Sequence, residues 1–171
     1  QQYFIIGGMP APVKTFVDTE SYLKVQPVQN GIISNYIADM SKYADPPTSV
    51  KIRACYNSIP AQLAKKNTKF QYKVVQRGGT ATIFGEAIDW LGFAGIVLKC
   101  QRLKHGYMPI NAYADLINFK LYMADIGMLT LHSNMSLQTI LSPIEVNNTF
   151  LGAMTENYVA QVFATKGYEL Y

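Results

Sequence analysis

The stretch Gly78–Cys100, GGTATIFGEAIDWLGFAGIVLKC, decides how the chain folds. Phe84, Ala87, Ile88, Leu91 and Ala94 recur at spacings of three and four, which marks one apolar face of a helix. Thr80 or Thr82 can cap its start, because a hydroxyl can accept from a first-turn N–H. Gly95 stops it, and IVLKCQRL then alternates as a strand. KHGYMP forms a loop tip, and Asn118–Gly127 (NFKLYMADIG) reads as the returning strand.

Working back toward the N-terminus, Ser49–Ser58 suits a helix with Ile52, Cys55, Tyr56 and Ile59 inward. Pro60 is expected to open a second short helix, since proline fits a first turn and not an interior. Lys69–Val75 alternates as a short strand. Helix, helix, short strand, helix and hairpin is the order of a winged helix. The expected class is mainly α (α+β), with a helical N-terminal segment, a winged-helix core carrying a small antiparallel hairpin, and a C-terminal helix.

In residues 1–45 the prolines of GGMPAPV (Gly7–Val13) open one helix. Val25, Val28, Ile32, Tyr36, Met40 and Tyr43 line a longer one, which Pro27 should kink or begin. DPPT (Asp45–Thr48) is a boundary. The expected divisions are a helical lead-in over 1–45, a winged-helix-like unit over 46–132, and a linker with a further helix over 133–171. That last helix opens at Thr149, with Leu151, Met154, Tyr158, Val162 and Phe163 as its buried face, and YELY begins a strand. The missing Met at Gln1 and the strand beginning at the end suggest a segment cut from a longer protein.

The chain has 171 residues, of which 49% are hydrophobic and 15% charged, enough apolar material for one or two small cores. No apolar run approaches the roughly 20 residues that span a bilayer. No basic segment precedes a hydrophobic one as in a signal peptide. A cytoplasmic protein without membrane contact is expected. Cys55 and Cys100 read as buried free thiols. With only His105 and His132 besides, no metal-ligand spacing exists and no metal is expected.

Charge is unevenly spread. Residues 46–114 hold ten Lys and Arg against two acids, whereas the rest holds five against nine. Lys65, Lys66, Lys69, Lys73, Arg77, Lys99, Arg102 and Lys104 are the candidate nucleic-acid or partner-binding residues. They admit three readings: a solvated surface, non-specific contact with nucleic acid, or docking to an acidic protein surface. The helix between the Thr80 or Thr82 cap and Gly95 itself carries Glu86 and Asp89 and no Lys or Arg. Base edges are read mainly by Arg, Lys, Asn and Gln, so sequence-specific reading by this helix is not expected. Trp90 belongs on the rim of its apolar face and Phe93 on its exposed side, and the tyrosines of YADLINFKLY read as core.

Several stretches, GGMPAPVKTFVDT, DMSKYAD, SIPAQLAKKNTKFQY, AIDWLGFAGIV, FKLYMADIGML and TENYVAQVFATKGYELY, together resemble a family of prokaryotic AAA-type P-loop ATPases ending in the domain-of-unknown-function family 4143. The resemblance implies a parent with an ATPase domain using ATP and Mg²⁺, a winged-helix middle and an endonuclease-like end. This chain would be the middle and the beginning of that end. It would be a non-catalytic interaction or regulatory module docking to its own ATPase domain and to another protein. The alternatives are a non-specific nucleic-acid-binding winged helix and, third, a fragment of a metal-dependent nuclease.

The resemblance makes Glu156 the candidate catalytic acid; the other reading is a structural helix residue. The G-x-x-x-x-G-K-[ST] signature is absent from the sequence, so no cofactor is expected within the chain itself. The turn before the helix that Gly95 stops also departs from the family's pattern. Thr80 and Thr82 stand where members often carry basic residues, which weakens any phosphate contact there.

Overall fold

A computed structural model describes residues 1–65, 68–141 and 148–171. It is mainly helical, with one two-stranded antiparallel sheet and a C-terminal helix. The N-terminal helices are α1 (Gln2–Ile6), α2 (Pro10–Thr19) and α3 (Tyr22–Tyr43). Next come α4 (Pro46–Ala64), α5 (Tyr72–Val75), α6 (Ala81–Phe93), β1 (Val97–Leu103) and β2 (Ala114–Met123), which keep the expected third helix and hairpin but not the separate second helix and short strand of a winged helix. Three helices complete the described chain: α7 (Ile126–His132), α8 (Leu137–Leu141) and α9 (Asn148–Thr165).

Several local expectations need correction. Helix α3 begins at Tyr22, so Pro27 lies inside it and does not begin it; Val25 and Met40 are buried as expected, joined by Gln29 and Ile33, while Tyr43 is exposed. Asp45 caps α4 by accepting from the Thr48 N–H at 3.3 Å, and the helix then continues past Pro60 to Ala64 as one element. Fully buried Ile52, Cys55, Tyr56 and Ile59 hold that helix against the core, which outweighs the one hydrogen bond Pro60 removes. Lys69–Val75 is not a strand. Its strand character is one bond, from the Phe70 N–H to the Phe119 carbonyl at 2.7 Å, before the chain turns into α5. Thr80 is the N-cap residue of α6, although its side chain makes no capping bond.

Phe84, Ala87, Ile88 and Leu91 of α6 face α4 in the core as their spacing predicts. Gly95, at φ +68, lets the chain leave α6 and enter β1. In the sheet Leu98 faces Tyr122, Cys100 faces Lys120 and Gln101 faces Phe119. Phe119, Leu121 and Met123 are buried with the α4 and α6 side chains. The alternate residues Lys120 and Tyr122 look the other way, toward α9. Beyond Tyr168 no strand is assigned, yet the Gln101 N–H donates to the Leu170 carbonyl at 3.1 Å, so the end of the chain lies along β1.

Helix α9 buries Met154 as expected and half-buries Val162, but the rest of its buried face differs from the expected one. Ala153, Met154, Asn157, Ala160 and Gln161 point inward, whereas Leu151, Tyr158 and Phe163 are exposed. The side chain of Thr149, expected to cap it, lies outside what is described. The buried amides complete open backbone groups. Asn157 bonds both the N–H and the carbonyl of Met123, and Gln161 Oε1 accepts from the Ile126 N–H at 2.9 Å. Asp125 caps α7 through the Met128 N–H at 3.1 Å and accepts from the Gly8 N–H at 2.6 Å. Gln161 Nε2 donates to the Tyr3 hydroxyl at 3.0 Å, while Gln29 and Thr130 donate to the carbonyls of Phe4, Ile5 and Ile6. This network seats the first eight residues against α3, α7 and α9.

Candidate interaction surface

The exposed side of α6 presents Thr82, Ile83, Glu86, Asp89 and Phe93, the last 93% exposed. Acidic and apolar groups there would repel phosphate or fail to bond it, as its sequence leads one to expect. Trp90 packs on the edge of the core. Lys99, on the neighbouring strand, is already engaged. Its ammonium donates to Asp89 at 3.2 Å and sits 4.8 Å from the centre of the Phe119 ring.

Of the other basic candidates, Lys65 ends α4, Lys69 precedes the Phe70 bond, Lys73 is on α5 and Arg77 is in the turn before α6. Arg102 lies on β1 and Lys104 follows it. All six are exposed, and none forms an ion pair among the described residues. Lys66 lies outside the described residues. Around the 68–70 segment the fold does bring groups together. Thr68 and Arg102 line one depression with Lys120, and Lys69 and Lys120 line the next. Lys73, Arg77 and Lys104 line neither.

Lys120 escaped the sequence reading because it sits within an apolar strand. Its signal was the polar residue alternating with Phe119 and Leu121. Its ammonium donates to Glu156 Oε1 at 2.5 Å, and the Tyr122 hydroxyl donates to the same oxygen at 2.8 Å. Burial pushes the Tyr122 phenol up, and the hydrogen bond and negative charge of Glu156 push it further. Cys100, which faces Lys120 across the strands, is raised by burial and then by Glu156, with Lys120 opposing. Such a thiol is a poor nucleophile at neutral pH. Glu156 therefore fastens α9 to the sheet through two side chains. Among the described residues no three His, Cys, Asp or Glu side chains gather as a metal site.

The hairpin tip is built differently. Between Gln101, opposite Phe119, and Arg102, opposite Asp115, strand β2 carries three residues without partners on β1. Asp115 Oδ1 accepts from the N–H groups of Ile117 at 3.0 Å and Asn118 at 3.2 Å, and Oδ2 from the Asn118 amide at 2.6 Å. These bonds, the Asn118 amide first, hold the Asp115 carboxyl below its usual pKa. They also fix a side-chain turn that throws Leu116 and Ile117 outward, 74% and 76% exposed. Met108 is 80% exposed at the same tip. Tyr107 stacks on His105 at 5.7 Å and meets Tyr113 edge-on at 5.7 Å. Leu116 and Ile117 precede the returning strand expected at Asn118–Gly127, whereas β2 begins at Ala114, and nothing in the sequence marks the unpaired residues that expose them.

The family model that matches this chain is Domain of unknown function (DUF8612), over residues 1–139, and the chain belongs to that family. This corrects the resemblance to AAA-type ATPases ending in family 4143. An adjoining ATP- and Mg²⁺-dependent domain and an endonuclease-like start around Glu156 lose the support that the resemblance lent them. No curated protein and no solved structure matches the chain. Among the described residues no helix is long and apolar enough to cross a membrane.

Proposed function

We propose that this member of the DUF8612 family is a non-catalytic interaction module that meets a protein partner through its hairpin tip. The observation that carries the reading is the Asp115 turn, which spends three hydrogen bonds on presenting Leu116 and Ile117 to solvent. Exposed apolar groups gathered in one place mark a contact surface, whereas scattered ones do not. Tyrosine and methionine, as at Tyr107 and Met108, are enriched in such contacts. Arg102 and Lys104 flank the tip, so the complementary surface is apolar with an acidic rim.

A lysate of the source organism, treated with a photo-crosslinker placed at Met108, provides the test. A specific crosslinked protein should appear with the native chain and disappear with Leu116→Ser/Ile117→Ser, while Lys65→Ala/Lys69→Ala retains it. Equal crosslinking by all three chains would overturn the reading.

A second reading is non-specific contact with nucleic acid, favoured by the exposed Lys65, Lys69, Lys73 and Arg77 between the end of α4 and the turn before α6, which form no ion pair among the described residues. Each phosphate contact on duplex DNA adds roughly −0.9 to the slope of log K against log salt. Fluorescence anisotropy with two unrelated duplexes should then show equal affinities that fall steeply with salt. Absence of binding at about 50 mM salt would remove this reading.

A further inference from the structure

We infer that the depression between the sheet and α9, lined by Thr68, Cys100, Arg102, Lys120, Glu156 and Tyr171, binds a phosphomonoester group on a short stem. The site reaches the base of the hairpin turn through Arg102 and Asn118, but Met108, Leu116 and Ile117 are not in its lining, so it does not depend on a protein partner being found at the tip.

Charge is the first argument. Arg102 lacks an acidic partner among the described residues, and Lys69 and Lys120 line the adjoining depression. Within the lining itself Arg102 and Lys120 face the one carboxylate of Glu156, while Asp115 stands opposite Arg102 across the strands and Glu169 accepts from the Tyr171 hydroxyl. Arg102 is the lining cation without an acidic ion-pair partner among the described residues, and it attracts a phosphomonoester, with about −1.5 to −2 charge at neutral pH, more strongly than a carboxylate or phosphodiester with one charge. The donors form the second argument. Lys120 gives one of its three N–H groups to Glu156 Oε1, which holds the ammonium at the wall with two donors left. The Tyr122 hydroxyl bonds the same oxygen, so Glu156 is held from two sides and fixes Lys120. A guanidinium fork such as that of Arg102 matches two phosphate oxygens at once, and Thr68 adds a hydroxyl.

Size is the third argument. The depression holds about 180 Å³, below the roughly 300–1,000 Å³ of sites that enclose drug-sized ligands. It suits one phosphate and a few further atoms, with the Tyr171 ring beside them. Such a group is found on small metabolites and also at the end of a nucleic-acid strand.

An NMR titration of the whole chain at constant ionic strength tests the site, following the amides of Cys100, Arg102 and Lys120. Inorganic phosphate and phenyl phosphate should shift these amides saturably, and dimethyl phosphate should not. Arg102→Ala should weaken phenyl phosphate binding on the order of tenfold or more, the loss expected for a charge-assisted contact, while Arg77→Ala leaves it unchanged. The spectrum of each variant reports whether it is folded. A short oligonucleotide with and without a 5′-phosphate separates the two sources. Tighter binding of the 5′-phosphorylated strand than of phenyl phosphate assigns the site to strand ends, and the reverse to small phosphomonoesters. No saturable shift, an equal response to dimethyl phosphate, or an unchanged affinity in folded Arg102→Ala would overturn the proposal.

Discussion

Asn157 pairs with the Met123 peptide as a neighbouring strand would: its Oδ1 accepts from the Met123 N–H at 2.8 Å and its Nδ2 donates to the Met123 carbonyl at 3.0 Å. One side chain of α9 thereby closes the end of β2, inside the protein. Asn157→Ala leaves two buried backbone groups unpaired, each worth roughly 1–3 kcal/mol. Urea denaturation should show a loss of at least about 2 kcal/mol. Asn157→Asp, which keeps the acceptor and buries a charge, should be no more stable than the alanine variant. A loss below about 0.5 kcal/mol would contradict the pairing.

Two glycines should respond in opposite directions. A Cβ on Gly127 would lie 2.7 Å from the Ile6 carbonyl group, where backbone cannot yield cheaply. Gly127→Ala should therefore cost about 1–3 kcal/mol. At Gly85, within α6, a Cβ meets nothing within 4 Å. Gly85→Ala should gain about 0.5–1 kcal/mol from helix propensity. Thermal melts of the two variants beside the native chain decide both.

Acid should weaken the fold through His132. Its ring lies 4.9 Å from that of fully buried Tyr56, and burial holds its pKa below the usual value. The unfolded chain binds this proton more readily than the folded one. The stability associated with neutral His132 is therefore fully present above about pH 6.5 and lost as pH falls through the lower folded value. Unfolding free energies measured between about pH 7.5 and 5 should decline, and His132→Gln should flatten that decline.

The two thiols should resist alkylation in the native state. Burial pushes Cys55 up to about 12 and raises Cys100 as well. Only the thiolate reacts, so iodoacetamide at about pH 8 should label both slowly until urea unfolds the chain. Because the folded values are raised, their contribution to stability is present below about pH 8.5 and lost as pH rises toward the folded values. Rapid labelling of native Cys55 would show that its helix opens.

Much of the architecture was legible where periodicity and burial agree. Phe84, Ala87, Ile88 and Leu91 announced α6, and Gly95 with the alternation after it announced β1. Helix α9 misled because around Met154 its inward face is made of alanines and two amides, while Tyr158 and Phe163 stay at the surface. Asn157 and Gln161 look like solvent residues until the backbone groups they complete are known. Lys69–Val75 alternated as a strand should, but packing against α4 and Phe119 won, leaving the single Phe70 bond. The basic excess was legible as charge but not as shape. Lys120 and Glu156, from distant stretches, meet only in the folded chain, and the turn extruding Leu116 and Ile117 depends on a register slip that no composition reveals.

The seat of the first eight residues has a consequence for the order in which the fold can be completed. Tyr3 and Gly8 bond partners 158 and 117 residues further along, on α9 and at the head of α7. Contacts this distant are made late, after the entropy of closing the intervening loop has been lost. On the ribosome, Tyr3 and Phe4 emerge before their partners and have no complete seat until Tyr158 and Gln161 have followed. A chain interrupted before α7 therefore leaves the N-terminal helix without the element it chiefly packs on, and one interrupted before α9 leaves Tyr3 and Phe4 without Tyr158 and Gln161. Such a nascent chain is a substrate for chaperones that hold exposed apolar segments, and the interval before release is set by elongation and not by local helix formation.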